Sequence, residues 1–265
     1  MFKAVLFSMV FSLFVVQSAP PLPPVTMPEI REGESRELKV THSFKGKAGR
    51  GQKMTMNFAA KRIKTRVVWK GEGAAKYLVY ERDEILQNKC RAVHTFNFKP
   101  RDELVLRSYE RVISAPGGKT VQKLYFDFTI SSLGYPPVLL HPFILELAFR
   151  SFDMTPGAKR TFNLWLGEAV VLLMHTNVEG IETIDLPNEK GVRCYRISMK
   201  PDFSEDFGAF ANRVLSPLIP DYTFWMKADG SKVLVKYVGP MGQVSPVGAP
   251  TETHELLSYI PGKGG

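Results

Sequence analysis

The sequence is poor in the residues from which metal and catalytic sites are usually built. Its 265 residues include two cysteines and five histidines, and none of these has the spacing of a Cys-x-x-Cys or His-Glu-x-x-His metal site. It also lacks a Gly-x-Ser-x-Gly nucleophile motif and a glycine-rich phosphate-binding loop. We therefore predict no catalytic residue, no metal site and no cofactor.

An uninterrupted apolar run long enough to span a bilayer is absent as well. The apolar stretch of residues 4–16 follows Lys3, carries no charge and is too short for a comfortable span. This order is typical of a secretory signal peptide. We predict a signal peptide over residues 1–18, with an uncleaved membrane anchor as the alternative, and expect the mature protein in the periplasm or secreted.

The next segment, residues 19–30, contains five prolines. Prolines at this density favour an extended polyproline conformation without a packed core, so we predict a linker here. No later change of composition marks a second boundary, and residues 31–260 are predicted to form a single β-rich domain.

Acidic residues are scarce in one region of the chain. Residues 31–70 hold 12 basic and three acidic residues, whereas residues 71–265 hold 22 of each. In an extended strand Arg62, Lys64 and Arg66 point to one face. Such a basic stripe suits anionic lipid head groups or acidic glycans, and a solvated outer face is the alternative. Nucleic acid is not a predicted partner, because no matching motif is present.

From residue 77 onward, short apolar and alternating segments recur about every ten residues, separated by turn-forming residues. This pattern is typical of an antiparallel meander. A change in the phase of the alternation predicts a bulge or turn near residues 59–62. The predicted strands cover residues 77–80, 92–98, 104–113, 121–130, 161–166, 170–176, 180–186 and 193–200, a hairpin over residues 222–238, and residues 252–259.

Two segments have helical rather than strand periodicity. Residues 143–152 are predicted to form a short helix, with Pro142 in its first turn. Residues 203–217 form the best amphipathic segment of the chain, because their apolar residues recur at the 3.6-residue spacing of a single stripe. An apolar stripe this wide must cover something apolar, and the neighbouring sheet is the expected partner.

Several segments resemble a bacterial envelope family, the domain of unknown function 3108. They are residues 149–157 (FRSFDMTPG), 191–202, 224–230 and 235–242, and the resemblance covers roughly residues 77–259. It implies a mainly β fold, a curved antiparallel sheet or half-barrel with two short helices on its concave face, similar to the carriers that ferry lipoproteins across the periplasm. The family has no agreed function, so the resemblance implies no catalytic residue.

The two cysteines, Cys90 and Cys194, can be oxidised to each other in an exported protein. A disulfide between them would close a loop of about 104 residues and stabilise the fold by roughly 4–5 kcal/mol on the chain-entropy model. We predict this disulfide, and two separate buried thiols are the alternative.

The sequence favours a non-enzymatic envelope protein that binds an apolar or lipid-like ligand, such as a lipid or lipid-modified envelope component, on the concave face of the sheet. A structural envelope protein without a ligand and an enzyme acting on a cell-envelope substrate are the alternatives. A dry cavity would favour the binder, a polar cleft with converging carboxylates the enzyme, and a filled interior the structural protein. The predicted ligand-binding residues are Phe207, Phe210, Val214, Leu218 and Phe224.

Overall fold

The computed structural model describes residues 25–43, 59–99, 103–128, 140–167, 170–204, 221–240 and 251–263, together with Leu22, Gly208 and Arg213. The predicted signal peptide lies outside these residues, as do all but four positions of the predicted helix 203–217. The end of the predicted linker is described, and there Val25 is buried in the main core. The Leu104 amide donates to the Val25 carbonyl at 2.7 Å, so the linker segment contacts the domain from Val25 onward.

Twelve strands form one curved, open antiparallel sheet, as predicted. Their order across the sheet is β6-β5-β4-β3-β2-β1-β12-β11-β10-β9-β8-β7. The strands are β1 (Ser35–Ser43), β2 (Ala60–Lys70), β3 (Tyr77–Leu86), β4 (Arg91–Phe98), β5 (Leu106–Ser114), β6 (Thr120–Asp127), β7 (Lys159–Gly167), β8 (Val170–Ile184), β9 (Val192–Asp202), β10 (Tyr222–Lys227), β11 (Leu234–Pro240) and β12 (Thr251–Ile260).

This order describes two six-stranded meanders joined at the middle of the sheet. Strands β1 to β6 follow one another outward in one direction, and β12 back to β7 do so in the other. The central join is the antiparallel pair of β1 and β12, in which Ser35 lies opposite Ile260 and Ser43 opposite Thr251. Among the described strands, backbone pairing joins the two meanders through this pair alone, so we call it the central seam.

The sheet has local irregularities at two places where the alternation of apolar and polar residues predicts a bulge or a break. The register of β2 against β3 shifts between Ala60 and Arg62, which confirms the predicted bulge. The break predicted between residues 176 and 180 is wrong, because β8 runs unbroken from Val170 to Ile184. A register shift at Val178/Gly180 takes its place, and Gly180 has a φ of 151°, which L residues rarely adopt.

The helix predicted over residues 143–152 is present in a shorter form. A 3-10 turn, Pro142–Ile144, leads into helix α1, Leu145–Arg150. The His141 side chain accepts a hydrogen bond from the Phe143 amide at the start of this segment. All six residues of α1 are buried. Among the described residues, no helix is long and apolar enough to cross a lipid bilayer.

Helix α1 covers the concave face and contacts strands of both meanders. Phe149 packs edge-on against Phe224 of β10, with 4.8 Å between the ring centres. The curvature also brings the two outer strands towards each other: Trp165 of β7 lies 4.8 Å from Phe126 and 4.9 Å from Phe128, at the end of β6. The main hydrophobic core therefore lies inside the curve of the sheet, beneath α1.

The predicted disulfide is not formed, because Cys90 and Cys194 are both free thiols. Cys90 lies in the turn between β3 and β4, whereas Cys194 lies in β9. Six strand spacings separate β3 from β9 in the sheet order, a path of about 29 Å along the curved sheet. A disulfide requires Cα atoms about 4.4–6.8 Å apart. The prediction failed because it used the export context and the number of cysteines, neither of which contains information on strand order.

Candidate ligand-binding cavity

A cavity lies between α1 and the middle of the concave face. It is small and open to solvent: its volume is about 40 Å³, which is room for roughly three water molecules. The lining comes from the helical segment and from strands β1, β3, β10, β11 and β12, and consists of Leu38, Arg82, Pro142, Phe143, Leu145, Glu146, Tyr222, Phe224, Leu234, Tyr237, Glu252 and His254.

Helix α1 is held over the cavity by charged side chains. The Arg150 guanidinium binds both carboxylate oxygens of Glu34, which precedes β1, and both side chains are 4% exposed. The Lys232 ammonium donates to the carbonyls of Arg150 and Phe152 at 3.2 Å each, where a helix end favours a cation. These contacts hold the helix against both meanders.

Glu146 projects from α1 to the cavity and is also fully engaged. Its carboxylate accepts a hydrogen bond from the Tyr80 hydroxyl at 2.7 Å and pairs with the Arg36 guanidinium. Burial lowers the pKa of Arg36 to about 10, which still leaves the guanidinium charged at neutral pH. The pair therefore supplies an internal hydrogen-bond network rather than a free acid.

A row of polar side chains crosses the concave face on neighbouring strands. Arg36, Thr65, Arg82, His94 and Arg111 lie directly opposite one another in the register of β1 to β5. Strict alternation places all five on the same face of the sheet, the face that α1 covers. The concave surface is thus apolar with a polar row across it.

Arg82 is the member of this row that lines the cavity, and it forms an ion pair with Glu84. The Arg82 Nε donates to Glu84 Oε1 at 2.6 Å, and its guanidinium lies 3.9 Å from the centre of the Phe143 ring. Burial alone would raise the pKa of Glu84, but the charge of Arg82 and the hydrogen bond with His94 hold it well below its usual value. Burial lowers the pKa of His94 and, further, that of His141. Both rings are therefore neutral at neutral pH.

Glu252 has a different environment from the other carboxylates. Its oxygens lie 3.2 Å from Nε2 of His254 and 3.9 Å from Nε2 of His42, and its side chain is 13% exposed. Burial lowers the pKa of His42. Burial and, after it, the charge of Glu252 raise the pKa of Tyr222 to about 12. In the described part of the chain, the ion-pair partners of this carboxylate are the two imidazole groups.

Gly239 makes room for one wall of the cavity. It lies opposite Glu252 in the pairing of β11 with β12. A Cβ atom at Gly239 would overlap the Tyr237 ring, so the absence of a side chain lets this ring fold back along its own strand. The Tyr237 ring then packs 4.9 Å from the His254 ring.

Of the five predicted ligand-binding residues, Phe224 lines the cavity and is buried. Phe207, Phe210, Val214 and Leu218 lie outside the described residues, and their role stays a prediction. The sequence analysis missed the charged part of the lining, because charged residues usually lie on the surface. One signal was present: the apolar alternation of β3 at Leu78, Tyr80 and Leu86 places the residues at positions 82 and 84 on the inner face.

The predicted basic stripe is exposed, and the residues between its members are buried. Its charge is partly neutralised, however. Arg62 pairs with Glu37, and Arg66 binds Glu81 at 2.7 Å. In the register, Lys64 lies between Glu37 and Asp83. Binding of this stripe to an anionic surface stays a prediction.

The described residues offer little other chemistry. No group of three His, Cys, Asp or Glu side chains among them could hold a metal ion. A hydrogen-bonded chain does occur away from the cavity: Nδ1 of His175 lies 2.9 Å from the Thr161 hydroxyl, and Nε2 lies 2.8 Å from Asp202. The His175 side chain is 49% exposed, so water competes for these groups, and we assign them no catalytic role.

No family model and no curated protein matches this chain. The resemblance to the domain of unknown function 3108 is therefore not confirmed. Among solved structures, lipoprotein LppX of Mycobacterium tuberculosis is 12% identical, with 86% of each chain covered and a TM-score of 0.27. A predicted lipoprotein of Parabacteroides distasonis ATCC 8503 is 8% identical, covering 90% of this chain and all of its own, with a TM-score of 0.30. Scores this low support no conclusion about fold family or function.

Proposed function

We propose that this is an exported, non-enzymatic protein that binds an apolar or lipid-like ligand on the concave face of its sheet. The observation that supports it is the cavity beneath α1 on the concave face, about half of whose lining is apolar. Leu38, Leu145, Phe224 and Leu234 provide this surface. Burying apolar ligand surface there would contribute about 25 cal/mol per Å².

The polar residues of the lining support a binder more than an enzyme. Glu146 and Arg82 each lie in a buried ion pair, and breaking such a pair would leave an isolated buried charge at a cost of roughly 3–5 kcal/mol. They are therefore poorly suited to exchange protons with a substrate. They are well suited to hold α1 and the sheet at a fixed separation, which keeps the cavity open.

The test is direct binding to the full-length protein. We expect the neutral apolar dye N-phenyl-1-naphthylamine to fluoresce on binding, and protein purified from its native envelope to release lipid into organic solvent, detected by mass spectrometry. Leu145→Phe fills the cavity and should weaken dye binding about tenfold. Leu147→Phe is the matched control, because Leu147 is equally buried on the same helix but does not line the cavity.

Three results would contradict the proposal. They are an absence of dye binding, an absence of extractable lipid, and equal effects of the two phenylalanine variants while circular dichroism shows an intact sheet. The first two together would favour a structural protein with a filled interior.

The predicted residues of the segment 203–217 belong to the same proposal as a cover for the cavity. Phe210→Asp should then release the ligand while the sheet stays folded by circular dichroism. Arg213→Asp is a suitable control, because Arg213 is exposed. If Phe210→Asp unfolds the protein, or if both variants retain the ligand, the segment is not a cover.

A further inference from the structure

The register of the meander β1 to β6 brings several strand ends together at one end of the sheet. Going from strand to strand, Arg62 lies opposite Ile85, and Ile85 lies opposite Arg91. Arg91 lies opposite Ser114, which lies opposite Thr120. The starts of β2, β4 and β6 and the ends of β3 and β5 therefore share this end.

Four exposed lysines are gathered here. Lys39 belongs to the row, since it lies opposite Arg62. Lys61 and Lys119 each precede a member of the row in the sequence, and Lys89 lies in the turn between β3 and β4. All four lysines are exposed, and none forms an ion pair in the described part of the chain. We call these four lysines the basic rim.

The carboxylates nearest to the basic rim already have partners. Arg62 pairs with Glu37, and Arg91 binds both carboxylate oxygens of Asp83 at 2.8 Å. The sequence that connects β1 to β2, residues 44–58, holds four basic residues and no acidic one. Neither the described neighbours nor this connecting sequence therefore supplies a carboxylate for the four lysines.

Uncompensated charge of one sign distinguishes this end from an ordinary solvated surface. Neighbouring strands lie about 4.8 Å apart, and the Debye length at physiological salt is about 8 Å. The lysines therefore reinforce one another's potential and attract an anionic partner together. On the same outer face, Lys123 instead pairs with Glu110 across two strands.

Exposed apolar side chains among the lysines favour a lipid membrane as that partner. Ile85 is 47% exposed and Val121 is 57% exposed. Ile85 lies between two arginines of the row, and Val121 follows Lys119 by two residues. The interface of a bilayer takes up apolar side chains beside basic ones, whereas a soluble polyanion such as an acidic glycan offers charge alone.

We infer that the basic rim docks the protein on an anionic lipid membrane. The four lysines lie at the phosphate head groups, and Ile85 and Val121 enter the interface between head groups and acyl chains. This end of the strands then faces the membrane. The inference is independent of the cavity beneath α1, so either can fail without the other.

Cosedimentation of the protein purified from its native envelope with lipid vesicles tests the inference. The vesicles consist of phosphatidylcholine, alone or with about 30% phosphatidylglycerol. We expect at least about tenfold tighter binding to the anionic vesicles in low salt, and loss of most of this difference near 0.5 M NaCl, where charges are screened within about 4 Å. Equal binding to the two vesicle types would overturn the inference.

Charge reversal locates the binding surface. The rim variant combines Lys61→Glu, Lys89→Glu and Lys119→Glu, and should bind anionic vesicles about 100-fold more weakly, because each lysine near the surface contributes about fivefold. The control variant makes the same change in net charge at three exposed lysines away from the rim, Lys70→Glu, Lys159→Glu and Lys263→Glu. Equal weakening in the two variants would show that net charge, rather than the rim, attracts the protein, and would overturn the inference.

A single apolar substitution separates a membrane from a soluble polyanion. Ile85→Ser should weaken binding to anionic vesicles about fivefold and leave binding to heparin unchanged. Ile260→Ser is the control, because Ile260 is 61% exposed and lies at the opposite end of the sheet, across from Ser35. Binding to heparin that is tighter than binding to anionic vesicles, with no effect of Ile85→Ser on either, would assign an acidic glycan and overturn the inference. The comparison of the two vesicle types on the unaltered protein decides the matter even if a variant does not fold.

Discussion

Arg150 of helix α1 and Glu34 before strand β1 form a two-point ion pair in the interior of the protein. One guanidinium nitrogen lies 2.9 Å from Oε2 of Glu34, and the other contacts Oε1. Both side chains are 4% exposed. The pair fixes the helix to the sheet beside the central seam, so the width of the cavity depends on it.

Breaking this pair on one side should be costly. We expect Arg150→Met to lower the free energy of unfolding by roughly 3–5 kcal/mol, because Glu34 is left as an unpaired buried charge. Adding Glu34→Leu should recover much of the loss. Urea denaturation measures both effects. Arg62→Ala removes a half-exposed ion pair and should cost less than about 1 kcal/mol; an equal loss in the two single variants would contradict the prediction.

The protein should lose stability as the pH falls. The pKa values of His94 and His141 are lowered by burial from their usual 6.5, so the unfolded chain takes up protons before the folded one does. The contribution of these two histidines to the free energy of unfolding is therefore complete above about pH 6.5 and is lost as the pH falls below it. The pKa of Glu84 is lowered from 4.5, which extends the loss below about pH 4.5 by the same reasoning.

Urea denaturation at pH 8, 6.5 and 5.5 checks this dependence. In His141→Asn the loss between pH 8 and 5.5 should be smaller, because the side chain no longer titrates, while the asparagine oxygen can still accept from the Phe143 amide. A variant with the same pH dependence as the unaltered protein would show that His141 does not contribute.

The two cysteines should differ in reactivity. Burial, with a smaller effect of Glu182, raises the pKa of the Cys194 thiol to about 11, so little thiolate forms at pH 8. Cys90 is only partly buried. We expect iodoacetamide to modify Cys90 in the folded protein and Cys194 only after unfolding, as measured by peptide mass spectrometry. A peptide containing both cysteines joined by a disulfide would contradict the structure.

Gly239 should tolerate no side chain. Gly239→Ala places a Cβ against the Tyr237 ring, and relief of such an overlap costs typically 1–3 kcal/mol. Gly230→Ala in the turn of the same hairpin is the control, since a Cβ there meets no atom within 4 Å. We expect a lower melting temperature for Gly239→Ala alone. Similar values for the two variants would show that the ring moves freely.

The local pattern of the sequence accounts for most of the strands. Alternation located them, and the change of its phase located the bulge at Ala60/Arg62. The prediction that divided β8 into two strands failed because a glycine within a strand pattern usually indicates a break. Here the permissive backbone of Gly180 allows an irregularity within a continuous strand. Long-range order was beyond a local pattern: nothing near Cys90 or Cys194 indicates how many strands lie between them.

The cavity was predictable only in its apolar part. Phe224 follows from the alternation of its hairpin, and burial of Phe224 agrees with that pattern. The burial of Arg36, Glu146 and Glu252 was missed, because a charged residue in the sequence does not show whether a partner of opposite charge lies beside it in the interior. Their burial depends on partners from other strands and from α1, which meet only in the folded protein.

The central seam joins the two parts of the sheet that lie farthest apart in the sequence, and we expect it to form slowly. Each meander pairs neighbours in the chain and can form early, whereas β1 and β12 must find each other across almost the whole described sequence. Contacts this distant close large loops and slow the folding of a domain. The cavity takes its walls from β1 and β3 on one side and from β10 to β12 on the other. It therefore requires both meanders, and neither meander folded alone can form it.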